Sequence, residues 1–158
     1  MKTIFLDVDG VLNCATTERR LVSEPVFPFV DTRKVLRLRE ILEKTGAILI
    51  LSSSWREGAF AHASFSDRQA YLELRAEFKR LRCPLWIDCT PFMSGSREEE
   101  IKKWLERHPE VTDFVILDDV GVEFDKLKDH LVLTNWQTGL DKVAANKVIE
   151  LLNKEERK

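Results

Sequence analysis

Five short apolar runs, nearly continuous rather than alternating, constrain this chain more than any other feature. They occupy residues 3–6, 47–51, 85–88, 114–117 and 131–134. An alternating run suits a strand with one wet face. An unbroken aliphatic run suits a strand covered on both faces, as in a parallel sheet wrapped by helices. Helix-type patterns separate the runs. Asp31-Thr32 can cap a helix with Val35, Leu38, Ile41 and Leu42 on one face, and Thr45-Gly46 ends it. Asp67 can cap a second, with Tyr71, Leu74, Phe78 and Leu81 as its apolar stripe. A third begins near Ser96 or Arg97, buries Ile101, Trp104 and Leu105, and stops at His108-Pro109. The last runs from about Asp141 to Asn153 through Val143, Ala144, Val148, Ile149 and Leu152. Strands alternating with helices predict an α/β fold, a doubly wound parallel sheet in three layers.

A chain of 158 residues is expected to form one domain spanning residues 1–158. That size buries about 70% of the unfolded surface, so neither a disulfide nor a structural metal is needed for folding. The net charge of −2 excludes a generally basic surface, although a local basic patch stays open. Cys14, Cys83 and Cys89 are odd in number and lack C-x-x-C spacing, which fits a reducing cytosol; Cys83 and Cys89, six residues apart, read as buried small hydrophobes rather than a metal pair. Residues 1–6 are too short an apolar run for a signal peptide, and no segment approaches the ~20 apolar residues of a membrane helix. A cytoplasmic location is expected. Irregular stretches are expected at residues 13–30, 56–66 and 90–95. The first is long for a loop and follows the most unusual motif, as functional loops often do.

That motif is Asp7-Val8-Asp9-Gly10-Val11-Leu12, at the end of the first strand. Two carboxylates one residue apart at the carboxyl end of a buried strand repel each other and resist ionisation. A bound divalent cation offsets both penalties, and ligands bind at this edge of a doubly wound sheet. Gly10 allows a sharp turn that brings backbone N–H groups close to an anion. Asp-x-Asp-Gly also occurs as a plain strand-end turn. The second strand ends in Leu51-Ser52-Ser53-Ser54-Trp55-Arg56, where a hydroxyl and the following amides can donate to a phosphoryl oxygen or simply cap a turn. The fourth ends in Leu117-Asp118-Asp119, a second acidic pair on the same edge. Magnesium takes hard oxygen ligands, commonly one or two carboxylates, and Asp7 with Asp118 meets that need. Trp55 and Arg56 lie beside these residues, either touching a leaving group or, for Trp55, packing in the core. Trp136 can stack a base or cover the sheet edge. His62, His108 and His130 show no ligand spacing.

The Asp7–Leu12 motif, Ser52 and Asp118-Asp119, in this order and on these elements, resemble motifs I, II and IV of the haloacid dehalogenase-like (HAD) phosphohydrolases. More narrowly, Leu51–Arg56, Thr90-Pro91 with Arg97 and Glu100-Ile101, Leu117–Asp119 and Gly139-Leu140 resemble the HAD domains of Swiss Army knife RNA repair proteins. The superfamily's motif III is usually a lysine opening the helix before motif IV. Arg97 stands there in this chain, with Lys102 and Lys103 one turn on.

The resemblance implies a Rossmann-like HAD core and a magnesium-dependent phosphoric monoester hydrolase. Asp7 would be the nucleophile that forms an aspartyl-phosphate, and Asp9 the acid and base. The cation would sit on the Asp7 carboxylate, the Asp9 carbonyl and Asp118, with Asp119 as a further ligand or water anchor. Ser52 and Arg97 would hold the equatorial oxygens, with Gly10, Ser53 and Arg56 also contacting the substrate. Many HAD enzymes insert a cap domain after motif I or between motifs II and III. Neither gap here has room for one, so a cap-free, open site is expected. Such a site suits a bulky phosphorylated substrate, including a nucleotide or RNA end. The competing expectation is a phosphoacceptor-type or non-catalytic metal-binding module in a larger assembly. The sequence specifies no oligomeric state.

Overall fold

The computed structural model describes residues 1–17 and 30–154. The strands are β1 (Lys2–Leu6), β2 (Ile48–Leu51), β3 (Asp88–Cys89), β4 (Asp113–Asp118) and β5 (Leu131–Leu133). They form one all-parallel sheet in the order β3-β2-β1-β4-β5. Successive side chains alternate between the faces. Leu51, Leu6 and Leu117 align across β2, β1 and β4 and join the larger apolar cluster. Ile50, Phe5 and Ile116, one residue earlier, join the smaller cluster on the opposite face. Both faces are dry, which is why the strands read as unbroken apolar runs.

The helices are α1 (Thr32–Thr45), α2 (Phe65–Arg80), α3 (Arg97–Leu105) and α4 (Lys142–Leu152). Leu38 and Ile41 of α1, Leu74 and Phe78 of α2 and Val148 of α4 pack on one face. Ile101 and Trp104 of α3 cover the other, joined by Phe124 from the segment after β4. The fold is therefore α/β, a parallel sheet between helical layers. A 3₁₀ turn, Ser54–Ala59, links β2 to the region of α2. Residues 46–96 are consumed by β2, this turn, α2, β3 and their connections, leaving no separate cap among the described residues. No helix among the described residues is long and apolar enough to cross a membrane. Residues 18–29, most of the long loop expected at 13–30, lie outside the described residues.

Several expected boundaries shift. α1 begins and ends as its capping residues indicate, with Asp31 accepting from the Arg33 N–H and Gly46 left-handed at φ 66°. The cap of α2 is Ser64, not Asp67: the Ser64 hydroxyl accepts the Asp67 N–H, so Asp67 is the third helical residue. In α4, Ala144, Ala145, Val148 and Leu152 form the buried arc. Val143 lies 100° outside that arc and is 78% exposed, against expectation. β3 is shorter and later than the run at 85–88. It is an edge strand paired only with β2, and Trp86 turns inward against Phe78 and Tyr71 instead of extending the ladder. The stretch from 56, expected to be irregular, begins inside the 3₁₀ turn. Cys83 is buried, Cys89 half-buried, and burial pushes their thiols up to about 12 and about 11, respectively.

Candidate active site

The ladder continues one residue past the strand ends. The Asp7 N–H donates to the Leu117 carbonyl (3.0 Å), the Ser52 N–H to Leu6 (2.9 Å), and the Thr134 N–H to Asp118 (2.9 Å). Asp7, Ser52 and Asp118 thus stand abreast at the carboxyl edge. β1 and β4 are neighbours where the winding reverses: β1 leads toward β2 and β3, β4 toward β5. Ligands of open α/β sheets bind at such a switch point.

Asp7 and Asp118 are buried and Asp119 is half-buried, and one carboxylate oxygen from each lies within 4.8 Å of the others. The Arg97 guanidinium, on the first residue of α3, bridges two of them, 2.5 Å from Asp118 Oδ2 and 3.2 Å from Asp7 Oδ2. The other Asp118 oxygen accepts the Val120 N–H (2.9 Å). Burial pushes the Asp7 carboxyl up and Arg97 pulls it down. Asp118 adds repulsion, the Val8 N–H and Ser53 hydroxyl add hydrogen bonds, and the balance stands at about 7. Burial and the Asp118 charge likewise raise Asp119. Burial works against the charge on Arg97, but Asp7 and Asp118 more than offset it and hold the guanidinium firmly protonated. Lys102 and Lys103, the other candidates for this charge, pair with Glu98 and Glu99 and with Glu106 on the helix surface.

With all three carboxylates ionised, the one guanidinium leaves two negative charges uncompensated, and all the donor atoms are hard oxygens. That set fits a divalent cation such as magnesium. Gly10 belongs to the same construction. It is left-handed at φ 72°, and a Cβ there would lie 2.2 Å from Asp119 Oδ2. Its carbonyl accepts the Thr134 hydroxyl (2.6 Å).

Asp9 is half-buried with both carboxylate oxygens engaged: Oδ1 accepts from Asn13 Nδ2 (2.8 Å) and Oδ2 from Trp55 Nε1 (2.9 Å). Ser52 is fully buried, and its hydroxyl has no hydrogen-bond partner among the described residues. Ser53 is the hydroxyl that reaches the Asp7 carboxylate. Arg56 lies beneath both serines. Its Nη1 donates to the Ser52 and Ser53 carbonyls (2.7 and 2.8 Å), and its Nη2 pairs with Glu100 (2.7 Å). One face of that guanidinium covers the Phe92 ring at 3.8 Å. Asp7, Asp118, Asp119, Arg97, Gly10 and Ser53 thus converge directly, with Asp9 tethered alongside. Ser52 stands abreast of Asp7 with its hydroxyl unpartnered among the described residues, and Arg56 holds the Ser52 and Ser53 carbonyls. Asn13 and Thr134 escaped the sequence reading. Asn13 had one local signal: an amide three residues after a turn glycine, placed to accept the Gly10 N–H (3.0 Å).

No curated protein matches this chain. The family model described as the HAD domain in Swiss Army Knife RNA repair proteins matches residues 3–145, from β1 into α4, and the chain belongs to that family.

Proposed function

We propose that this protein is a magnesium-dependent phosphomonoesterase that works through an aspartyl-phosphate on Asp7. Membership of an HAD family supports phosphatase-type hydrolysis in general. The observation that carries the finer reading is the convergence of Asp7, Asp118 and Asp119 at the switch point, with Arg97 across two of them.

The Asp7, Asp118 and Asp119 carboxylates, with the Asp9 carbonyl, would hold magnesium, which would supply positive charge to the phosphoryl oxygens. A carboxylate oxygen of Asp7 attacks phosphorus in line, forming the Asp7–phosphate bond as the phosphorus–leaving-oxygen bond breaks. Asp9 gives its proton to that oxygen, so the leaving group departs as a neutral alcohol. A water then attacks the phosphorus of the acyl phosphate. Asp9 takes the water's proton, the phosphorus–Asp7 bond breaks, and inorganic phosphate and the Asp7 carboxylate are restored. Arg97 and the Ser53 hydroxyl neutralise and orient the equatorial oxygens, where positioning and electrostatics dominate phosphoryl transfer. Arg56 keeps the Ser52-Ser53 backbone in place from below.

The substrate class we propose is a nucleotide or an RNA end. Support comes from the family's description and from exposed aromatic rings. Phe60 and Phe92 are exposed, though Phe60 already stacks on His62 and Phe92 on Arg56; Trp136, 44% exposed, offers a face on which a base can stack. Three free cysteines fit a reducing compartment such as the cytosol. Hydrolysis of p-nitrophenyl phosphate with and without magnesium tests the mechanism. Turnover is expected to require the metal and to vanish in Asp7→Asn, and activity surviving that substitution overturns covalent catalysis. A panel of mononucleotides, 5′- and 3′-phosphorylated RNA and phosphopeptides then tests the substrate class, with phosphopeptide preference as the contrary result.

A further inference from the structure

An acid that must reach one particular oxygen works only if its side chain is held in one orientation. The Asp9 side chain has three staggered χ1 wells and is half-buried, so something must choose among them. Two N–H donors do so from opposite ends. The Trp55 indole N–H takes Oδ2 at 2.9 Å and the Asn13 amide takes Oδ1 at 2.8 Å. The Asn13 carbonyl oxygen accepts the Gly10 N–H at 3.0 Å, which fixes which end of its amide faces Asp9.

Trp55 is itself immobilised. It is 7% exposed and lies in the apolar cluster beneath the sheet edge. Its backbone N–H donates to the Ser53 hydroxyl (3.3 Å), the same group that bonds Asp7. The next residue, Arg56, ties the turn down through the Ser52 and Ser53 carbonyls and Glu100. One rigid 3₁₀ turn therefore touches the nucleophile through Ser53 and the proton donor through Trp55, 46 residues away along the chain.

We infer that Trp55 is a positioning residue: with Asn13 it clamps the Asp9 side chain in the orientation that delivers a proton to the leaving oxygen. The inference rests on the proposed phosphatase reading. A tryptophan serving only to fill the core would need its ring and not its N–H, and Trp55→Phe separates the two roles.

The test compares two substrates that differ in their need for a proton. An alkyl phosphate such as glycerol phosphate leaves as a strongly basic alkoxide and depends on the acid. 2,4-Dinitrophenyl phosphate leaves as a stable phenolate and hardly does. For Trp55→Phe, kcat/KM, which reports the phosphorylation step and not the later hydrolysis common to both esters, is expected to fall by about 10-fold or more on the alkyl ester, a part of the 10²–10⁴ that proton transfer supplies, and by less than about 3-fold on the aryl ester. Asp9→Asn should give the same split on a larger scale. Equal losses on the two esters, or none on either, overturn the inference. Should Trp55→Phe fail to fold, Asn13→Ala carries the same comparison, and a uniform effect there overturns the clamp. Failure of the phosphatase reading looks different: wild type then hydrolyses neither ester, or Asp7→Asn keeps its activity.

Discussion

Gly10 shows how tightly single residues are bound into this site. Its φ of 72° already disfavours a side chain, and the space a Cβ would need is filled by the Asp119 carboxylate at 2.2 Å. Gly10→Ala is therefore expected to push Asp119 out of the acidic cluster. Magnesium-dependent turnover should fall at least about 10²-fold, comparable to losing one stabilising group in a transition state, and the magnesium concentration for half-activity should rise. Steady-state kinetics over a magnesium titration checks both, with far-ultraviolet circular dichroism expected to stay the same. The acidic residues of this site were legible because each ends an apolar run, and a run's end fixes where its next residue lies. Arg97 was legible as a candidate but tied with Lys102 and Lys103. The tie breaks only in three dimensions, because the two lysines face glutamates on the helix surface. Ser53 in contact with Asp7, and Trp55 with Asp9, depend on how a 3₁₀ turn rolls its side chains, which no spacing rule reports.

At the scale of elements, the placement of Arg97 depends on how α3 is anchored. Glu98 follows it, and one of its carboxylate oxygens accepts the N–H groups of Asp125 (2.7 Å), Lys126 (2.9 Å) and Leu127 (3.0 Å). The Arg97 N–H donates to Glu123 (3.0 Å), so the start of α3 is laced to the segment that follows β4. Burial pushes the Glu98 carboxyl up, but the Leu127 N–H, Lys102 and the Asp125 N–H outweigh it and bring it from 4.5 to about 2. A carboxyl lowered in the folded state adds stability that is fully present above about pH 4.5 and is lost as pH falls toward about 2. Glu98→Gln should therefore lower Tm at pH 7 relative to wild type, with the gap closing between pH 4.5 and pH 2, as thermal melts across that range would show. Element ends were readable where a single capping residue stood alone, as at Asp31 and Gly46. At α2 both Ser64 and Asp67 can cap, and Phe65, 74% exposed, gave no apolar marker for the first turn. β3 was misplaced because an edge strand with two paired residues leaves little imprint on its apolar run.

At the scale of the whole molecule, helices packed on the sheet's two dry faces support the strands that end in the site. Leu38, fully buried at the centre of α1, packs in the cluster that includes Leu6 and Leu117, the residues directly before Asp7 and Asp118. Leu38→Ala is expected to destabilise the fold by about 2–5 kcal/mol, a large share of an ordinary domain's stability. Urea unfolding should register the loss while KM for an aryl phosphate stays near the wild-type value. The layered architecture was legible because buried parallel strands carry their own signature. The strand order was not: the reversal of winding between β1 and β4 is a choice of chain path that unbroken apolar runs leave open.

The bridge from Arg97 to both Asp7 and Asp118 gives the pocket a permanent tenant. Stripping divalent ions with a chelator should thus silence turnover while leaving circular dichroism and Tm nearly as they were, and added magnesium should bring activity back without refolding. That outcome would uncouple architecture from readiness to react: under the proposed function the ion would act as an on-switch rather than a rivet.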